Sequence, residues 1–429
     1  MLSRTGSVFL ICTGLLFSSS LRAESNLKAA SATINLRDAI TRTFEHNPTL
    51  RAFSYQLRAQ GGRESQAGMA ASPEVNFVVE DALGTGVFDG IDNAQATLSI
   101  GWVLEGKVRK GFTDVARAGT SSLTAESNIK RLDAAAETAR LYLICLANQA
   151  RLINAAKTVE LAEETVKAIR KRVAAGKTPE AELARARADV AHSLLDHEDI
   201  EHELSSAIRL LAAQWGDIDP GFTHVEGSIS VLPVITSFEV LKRQLEQSPE
   251  FTRLLADKRL KQAELNLAEA QSSSNWHVNL GVRHFETTND QALVAGISIP
   301  FGERSRNTGH ITEARENLSQ TAVKEDELRV RYETSLYVLY EELLHSLHRI
   351  DAHRNEIIPL LENALEETRR AYELGRYSYF EWRSVQSDLL EARSALVEDS
   401  IDAHLKVIEI ERLTGLSMTQ PAMTQPISK

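Results

Sequence analysis

The sequence predicts a mainly helical chain with a small transmembrane β part, built as a duplicated unit of helix, strand pair and long helical hairpin. Three observations predict it: residue matches that recur at one fixed offset, four short segments in which apolar and polar side chains alternate, and two helical runs too long for a compact domain.

The first element is an address. Arg4 gives a positive start, Val8 to Phe17 form an apolar stretch too short for a stable span, and Leu21-Arg22-Ala23 ends on a small residue, so residues 1–23 read as a removed secretory signal. Cys12 follows Ile11, where lipidation wants a small residue, which argues against a lipoprotein. After cleavage Cys145 stands alone, leaving neither an intramolecular disulfide nor a cysteine cage for a metal. The formal charge of −11 becomes −13 once Arg4 and Arg22 leave, which disfavours nucleic acid and anionic lipid surfaces as partners. No other apolar run approaches the ~20 residues of a membrane helix. Entry into a membrane would therefore be by strands.

The duplication comes next. Ser99-Ile100 recurs as Ser298-Ile299, Trp102 as Phe301, Gly176 as Gly375, Asp189 as Asp388 and Gly216 as Gly415, all at an offset of 199 residues. Asn47-Pro48 and Ser248-Pro249 match at 201, implying a small indel. The chain after the signal thus divides into a first repeat over 24–218, a linker over 219–235, a second repeat over 236–418 and a tail over 419–429. The linker carries Pro220, Gly221, Gly227 and Pro233 and reads as extended.

Each repeat opens on a helix, Leu36 to Ala70 and Ser237 to Ala270, followed by strands over about 75–81 and 94–102 in the first and 276–285 and 293–301 in the second. In the second strand Ala94, Ala96, Leu98, Ile100 and Trp102 share one face, against Gln95, Thr97, Ser99 and Gly101. Trp276, Val278, Leu280 and Val282 oppose His277, Asn279, Gly281 and Arg283 in the third; Leu293, Ala295, Ile297, Ile299 and Phe301 oppose Gly296 and Ser298 in the fourth. Such strands also cover soluble cores. Two features favour lipid: lengths of ~9–10 residues suit a tilted membrane strand, and Trp102, Trp276 and Phe301 all fall at the helix-joined ends, as an interfacial aromatic girdle requires. Four strands close no barrel, and an edge open to lipid strands backbone groups at several kcal/mol each, so this reading demands an oligomer of eight or twelve strands.

The last element of each repeat is a helical hairpin, over 112–215 and 310–415. Phe112 to Ala175 contains no proline and one glycine, Gly119, enough for ~95 Å of helix. Gly176 breaks the run and Thr178-Pro179 restarts it, with Thr178 as cap and Pro179 as first helical residue. Gly375 acts likewise, with Ser378 and Glu381 at capping-box spacing. Leu161, Val166, Ile169 and Val173 give a heptad-like seam, and Pro359 marks a break in the second copy's run.

These features together resemble the TolC-like outer-membrane factor family over nearly the whole mature chain. The run Tyr372-Glu373-Leu374-Gly375-Arg376-Tyr377-Ser378-Tyr379-Phe380-Glu381-Trp382, with Leu389-Leu390-Glu391-Ala392-Arg393, carries the likeness. Gly375 to Trp382 and Glu411-Arg412-Leu413-Thr414-Gly415 are most similar to its heavy-metal, CzcC-like branch. The resemblance implies a homotrimer with a twelve-stranded barrel in outer-membrane lipid, continuous with a periplasmic helical tunnel. It also implies a periplasmic adaptor and an inner-membrane pump of the resistance-nodulation-division type as partners, export of metal ions or drugs, no catalysis and no cofactor. At the hairpin tips it implies a periplasmic entrance, with Glu182 and Glu381 as acidic constriction residues six positions after their glycines, and Tyr372 helping to hold the entrance closed. Ser384 stands where a second acid is expected, and Arg376 lies one residue from the usual gate arginine. Glu381 is equally the capping partner of Ser378.

Other chemistry is set aside. His345, His348 and His353, and the series His192, His197 and His202, read as solvated helix histidines instead of a metal site. There is no phosphate loop, nucleophile elbow, metalloprotease helix or carboxylate dyad, so an enzyme has no residues to stand on. Basic-aromatic interleaving for nucleic acid is missing too. The competing readings are a soluble periplasmic coiled-coil scaffold or adaptor, and a drug or type I secretion duct.

Overall fold

The computed structural model describes residues 33–300 and 307–416. The expected signal, Phe301 and the expected tail lie outside the described residues.

The chain starts with a two-residue strand β1 (Thr33–Ile34) and helix α1 (Leu36–His46), whose N-cap Asn35 accepts from the Asp38 N–H at 2.8 Å. Asn47 then caps α2 (Pro48–Ala67), with Pro48 at the first helical position where its missing N–H costs nothing. Strands β2 (Glu74–Glu80) and β3 (Gln95–Leu104) follow, then α3 (Gly106–Ala174) and α4 (Glu180–Ala213). After a short β4 (His224–Val225), the order repeats with α5 (Phe238–Leu245), α6 (Pro249–Ala270), β5 (Trp276–Phe285) and β6 (Asp290–Ser298). Helix α7 (Thr308–Ala352) passes through a π-turn at His353–Ile357 into α8 (Ile358–Glu373), and α9 (Tyr379–Thr414) ends the described chain.

Several elements differ from the sequence expectation. Helix α3 is one piece of 69 residues that begins at Gly106, before 112. Gly111 does not end it because the missing side chain serves packing: a Cβ there would sit 2.9 Å from Leu267 Cδ1 and 3.2 Å from Leu267 Cα, so α6 lies directly against α3. Strand limits shift by one to three residues, to 74–80, 95–104 and 290–298. Pro179 is the N-cap of α4 instead of its first residue, and Thr178 makes no cap bond. The linker is docked, with Phe222, Val225 and Ile229 buried, and β4 pairs in parallel with β1. Two side chains on α3 hold it there. Tyr142 Oη donates to the carbonyls of Ile34 at 3.1 Å and Glu226 at 2.5 Å, and Gln149 brackets Val225 through both its N–H and C=O. Burial pushes the Tyr142 hydroxyl up, keeping it a donor at any physiological pH.

Pro359 lies in the first turn of α8, directly after the π-turn. A wider turn absorbs the hydrogen bond that proline cannot donate, so the helical run continues with a local bulge. The core has two main parts. One gathers α1, the middle of α3, the end of α4, the linker and α9 around Ile40, Cys145 and Leu211; the other gathers α5, α6, α7 and α9 around Leu336, Leu343 and Ile350. A buried pair of hydroxyls, Thr43 and Thr138 at 2.9 Å, ties α1 to α3 without an unpaired polar group. From this mid-section the strands project one way and the hairpins of α3/α4 and α8/α9 the other.

Candidate functional site

The four long strands form one antiparallel sheet in the order β2-β3-β5-β6, with β2 and β6 each lacking an outer neighbour among the described residues. Side-chain placement is inverted relative to a soluble sheet. Leu293 is 82 % exposed, Phe77 and Ile297 67 % each and Leu98 55 %, whereas Thr97 and Ser99 between them are 7 % and 9 % exposed. The register explains the small values. Ser99 faces Gly281 and Asn279 faces Gly296, and a Cβ on either glycine would lie within 2.6 Å of its cross-strand neighbour's atoms. The polar face is therefore concave and crowded, and the apolar face is convex and bare. Trp102 and Trp276 are both exposed on the convex face near the helix-joined end, where Trp102 pairs with Val278 and Trp276 with Leu104. Phe301 is outside the described residues. No helix among the described residues is long and apolar enough to cross a membrane.

At the opposite end of the molecule the two hairpin tips pack on each other. Gly176 at φ +70° and Gly375 at φ +74° take the left-handed conformation that lets Lys177 and Arg376 N–H bond back to the Arg172 and Ala371 carbonyls at 2.9 Å. Arg172, in the last turn of α3, crosses to the other hairpin. It donates to the carbonyls of Tyr372 at 2.8 Å and Glu373 at 2.9 Å, and its guanidinium lies 4.7 Å over the Tyr372 ring. A cation so placed satisfies the Glu373 carbonyl, adds a second donor to the Tyr372 carbonyl that already accepts the Gly375 N–H, and meets the negative end of the α8 dipole. The Tyr372 ring is buried against Trp382 at 5.2 Å, and its hydroxyl reaches Glu182 at 3.4 Å. Burial raises that hydroxyl.

A second cross-hairpin contact lies one turn along. Asp189 receives the Arg383 fork through both oxygens at 2.8 Å and the Tyr379 hydroxyl at 2.7 Å. Burial alone would push Asp189 up, but the fork and the hydroxyl outweigh it and hold the carboxyl below its ordinary range.

Of the four entrance candidates, the structure brings Tyr372 and Glu182 together. Glu381 closes a capping box, accepting from the Ser378 N–H at 2.6 Å while Ser378 Oγ accepts from the Glu381 N–H. The Ser378 N–H holds the exposed Glu381 carboxyl down. Arg376 is exposed and offers only its backbone N–H to partners among the described residues. Sequence reasoning missed Arg172, Tyr379, Trp382 and Arg383, and took Asp189 only as the repeat partner of Asp388. The signal was the divergence of the repeats: Tyr379, Trp382 and Arg383 align with Glu180, Leu183 and Ala184. The histidines gather no cluster of three metal-capable side chains among the described residues, and His197 and His202 lie beside Glu201 and Glu198 of their own helix.

Comparison with known proteins agrees with this architecture. The sequence profile of the outer membrane efflux protein family matches residues 39–217, the first repeat. The cobalt-zinc-cadmium resistance protein CzcC of Cupriavidus metallidurans is 24 % identical over 391 residues, covering 90 % of this chain and 91 % of its own. Among solved structures, the outer membrane protein VceC of Vibrio cholerae superposes with a TM-score of 0.73 at 18 % identity, over 89 % of this chain and 96 % of its own. CusC superposes with a TM-score of 0.67 at 16 % identity, over 88 % and 91 %. With an inverted strand sheet at one end and paired hairpin tips at the other, the chain shares the fold of the VceC and CusC structures, and its first repeat is similar to the outer membrane efflux protein family.

Proposed function

We propose that three copies of the chain close a twelve-stranded barrel in the outer membrane, continuous with a periplasmic tunnel of α3, α4, α7, α8 and α9. The assembly conducts exported solutes passively, and the CzcC relative points to heavy-metal cations as the cargo. A periplasmic adaptor and an inner-membrane pump of the resistance-nodulation-division type would supply that cargo at the hairpin tips, where Glu182, Tyr372, Arg376 and Glu381 line the entrance. The 24–218 and 236–418 repeats then act as two quasi-equivalent staves of one wall.

One observation carries the reading: a sheet whose convex face is apolar and exposed and whose two edges are unpaired among the described residues. In water such a sheet exposes a contiguous apolar patch and invites edge pairing; in lipid its convex face is solvated and only its edges need partners. A soluble coiled-coil scaffold would have the hairpins without that sheet. The test is extraction of the membrane fraction and mass measurement in detergent, together with a lipid-phase photolabel at Leu98 and Leu293. A labelled trimer is expected. A monomer recovered from the soluble periplasm with both positions unlabelled would overturn the reading.

A further inference from the structure

The concave face of the sheet carries one feature that neither barrel closure nor the entrance explains. Arg283 is the only lysine or arginine in the segments 74–104 and 276–298, while the end of the sheet remote from the helices holds Glu80, Asp81, Asp89, Asp92, Glu286 and Asp290. The guanidinium is not free. It spans three strands, donating from Nε to Thr97 Oγ1 at 2.9 Å, from Nη1 to Gln95 Oε1 at 3.1 Å and from Nη2 to Glu80 Oε2 at 2.8 Å. All four residues lie on the concave, polar side, since Thr97 pairs with Arg283 and Gln95 with Glu80.

Resting on the conduit reading, we infer that Arg283, locked in place by Glu80, is the residue that sets the charge selectivity of the barrel. The planar fork bonds acceptors on β3 and β2 at once and seats a positive charge at the wall of the water-filled bore, where the field depends on that charge and not on the bonds that hold it. In a trimer the three guanidiniums form a ring at one height. A low-dielectric wall focuses that field into the lumen, where Glu80 offsets it and the surrounding carboxylates leave the mouth net negative. The exit end thus favours cations, and Arg283 limits by how much.

The experiment is the K⁺ to Cl⁻ permeability ratio of the detergent-purified trimer in a planar bilayer under a KCl gradient. Three charges at ~10 Å, screened over about one Debye length, shift K⁺ and Cl⁻ each about twofold in opposite directions and so alter the ratio about fourfold. Arg283→Gln is expected to raise it by that factor and Glu80→Gln to lower it. The double substitution is expected to return it to the starting value. Arg283→Lys keeps the charge but loses the fork, and it should track the unmodified channel; if instead it behaves as Arg283→Gln, the arginine is only a strut and the inference fails. A conducting trimer whose ratio ignores both single substitutions also overturns it. An unmodified protein that conducts nothing overturns the conduit reading on which it stands, a result distinct from either.

Discussion

Single carboxyls in this fold respond to pH in opposite directions, and their surroundings decide the sign. Asp189 is held down by Arg383 and Tyr379, so its contribution is present above the ordinary carboxyl value and is lost as pH falls through its lowered one. Glu411, in the last turn of α9, is pushed up to about 7 by burial, and the helix dipole at that end also disfavours its charge. Its contribution is present in acid and drains away as pH climbs through about 7. Glu411→Gln, neutral throughout, should therefore raise stability by about 1–3 kcal/mol at pH 8 and leave it nearly unchanged near pH 4. Thermal melts at the two pH values check this, and an equal gain at both would refute the burial argument. Glu381 allows two roles to be separated. Glutamine can keep the capping box while losing the charge, whereas alanine loses both, at about 0.5–2 kcal/mol. If the carboxylate also faces the lumen, Glu381→Gln alters cation block of the channel with little change in melting; if capping is its whole role, only Glu381→Ala has an effect, and that on stability.

At the scale of elements, curvature of the sheet rests on two glycines, and their neighbours differ in how far they can yield. A Cβ on Gly281 meets the Leu98 carbonyl oxygen at 2.5 Å and Ser99 Cα at 2.9 Å, which are backbone; on Gly296 it meets the Asn279 side-chain amide at 2.3 Å, a flexible group. Gly281→Ala should thus cut the yield of detergent-stable oligomer severalfold, at a strain of about 1–3 kcal/mol, while Gly296→Ala should be tolerated after Asn279 rotates. Equal yields from the two would remove the distinction. This curvature was not legible in the sequence, because alternation reports which side chains share a face but not which face is hollow. The alternation itself was legible, since Leu98, Ile100 and Trp102 against Thr97 and Ser99 need only a period of two. The tip glycines and the capping box were legible too, because both are local to a few residues. The β1–β4 pair and the Arg172 and Asp189 bridges were not: each joins residues far apart in the chain, and short polar segments carry no periodicity to align them. The residues by which α3 starts before 112 include Gly111, whose place in the helix depends on a distant residue, Leu267, packed against it.

The whole molecule is a stave roughly 100 Å long on its hairpin side, from the 69 residues of α3, topped by a sheet that stops short of closing. Both edges of that sheet run antiparallel to what a neighbouring copy would present: β2 leaves the helices and β6 returns to them, so β6 of one copy can add to β2 of the next with the same hand as every internal pair. The internal register sets Phe77, Leu98, Val282 and Leu293 level across the sheet on the convex face, though the shear of a closed barrel offsets the joining strands by an amount that one copy does not fix. Chain chemistry makes the joint easy to probe. Cys145 is fully buried and its thiol is pushed up to about 12, so it stays inert toward oxidants and thiol reagents while the fold is intact. Phe77→Cys combined in turn with cysteine at Leu293, Ala295 or Ile297 should give, for at least one pairing, intermolecular disulfides that link chains up to trimers and no further, in membranes oxidised before solubilisation. Ladders beyond three chains would mean an open, filament-like edge contact, and the absence of any cross-link from all three pairings would mean that these edges do not meet.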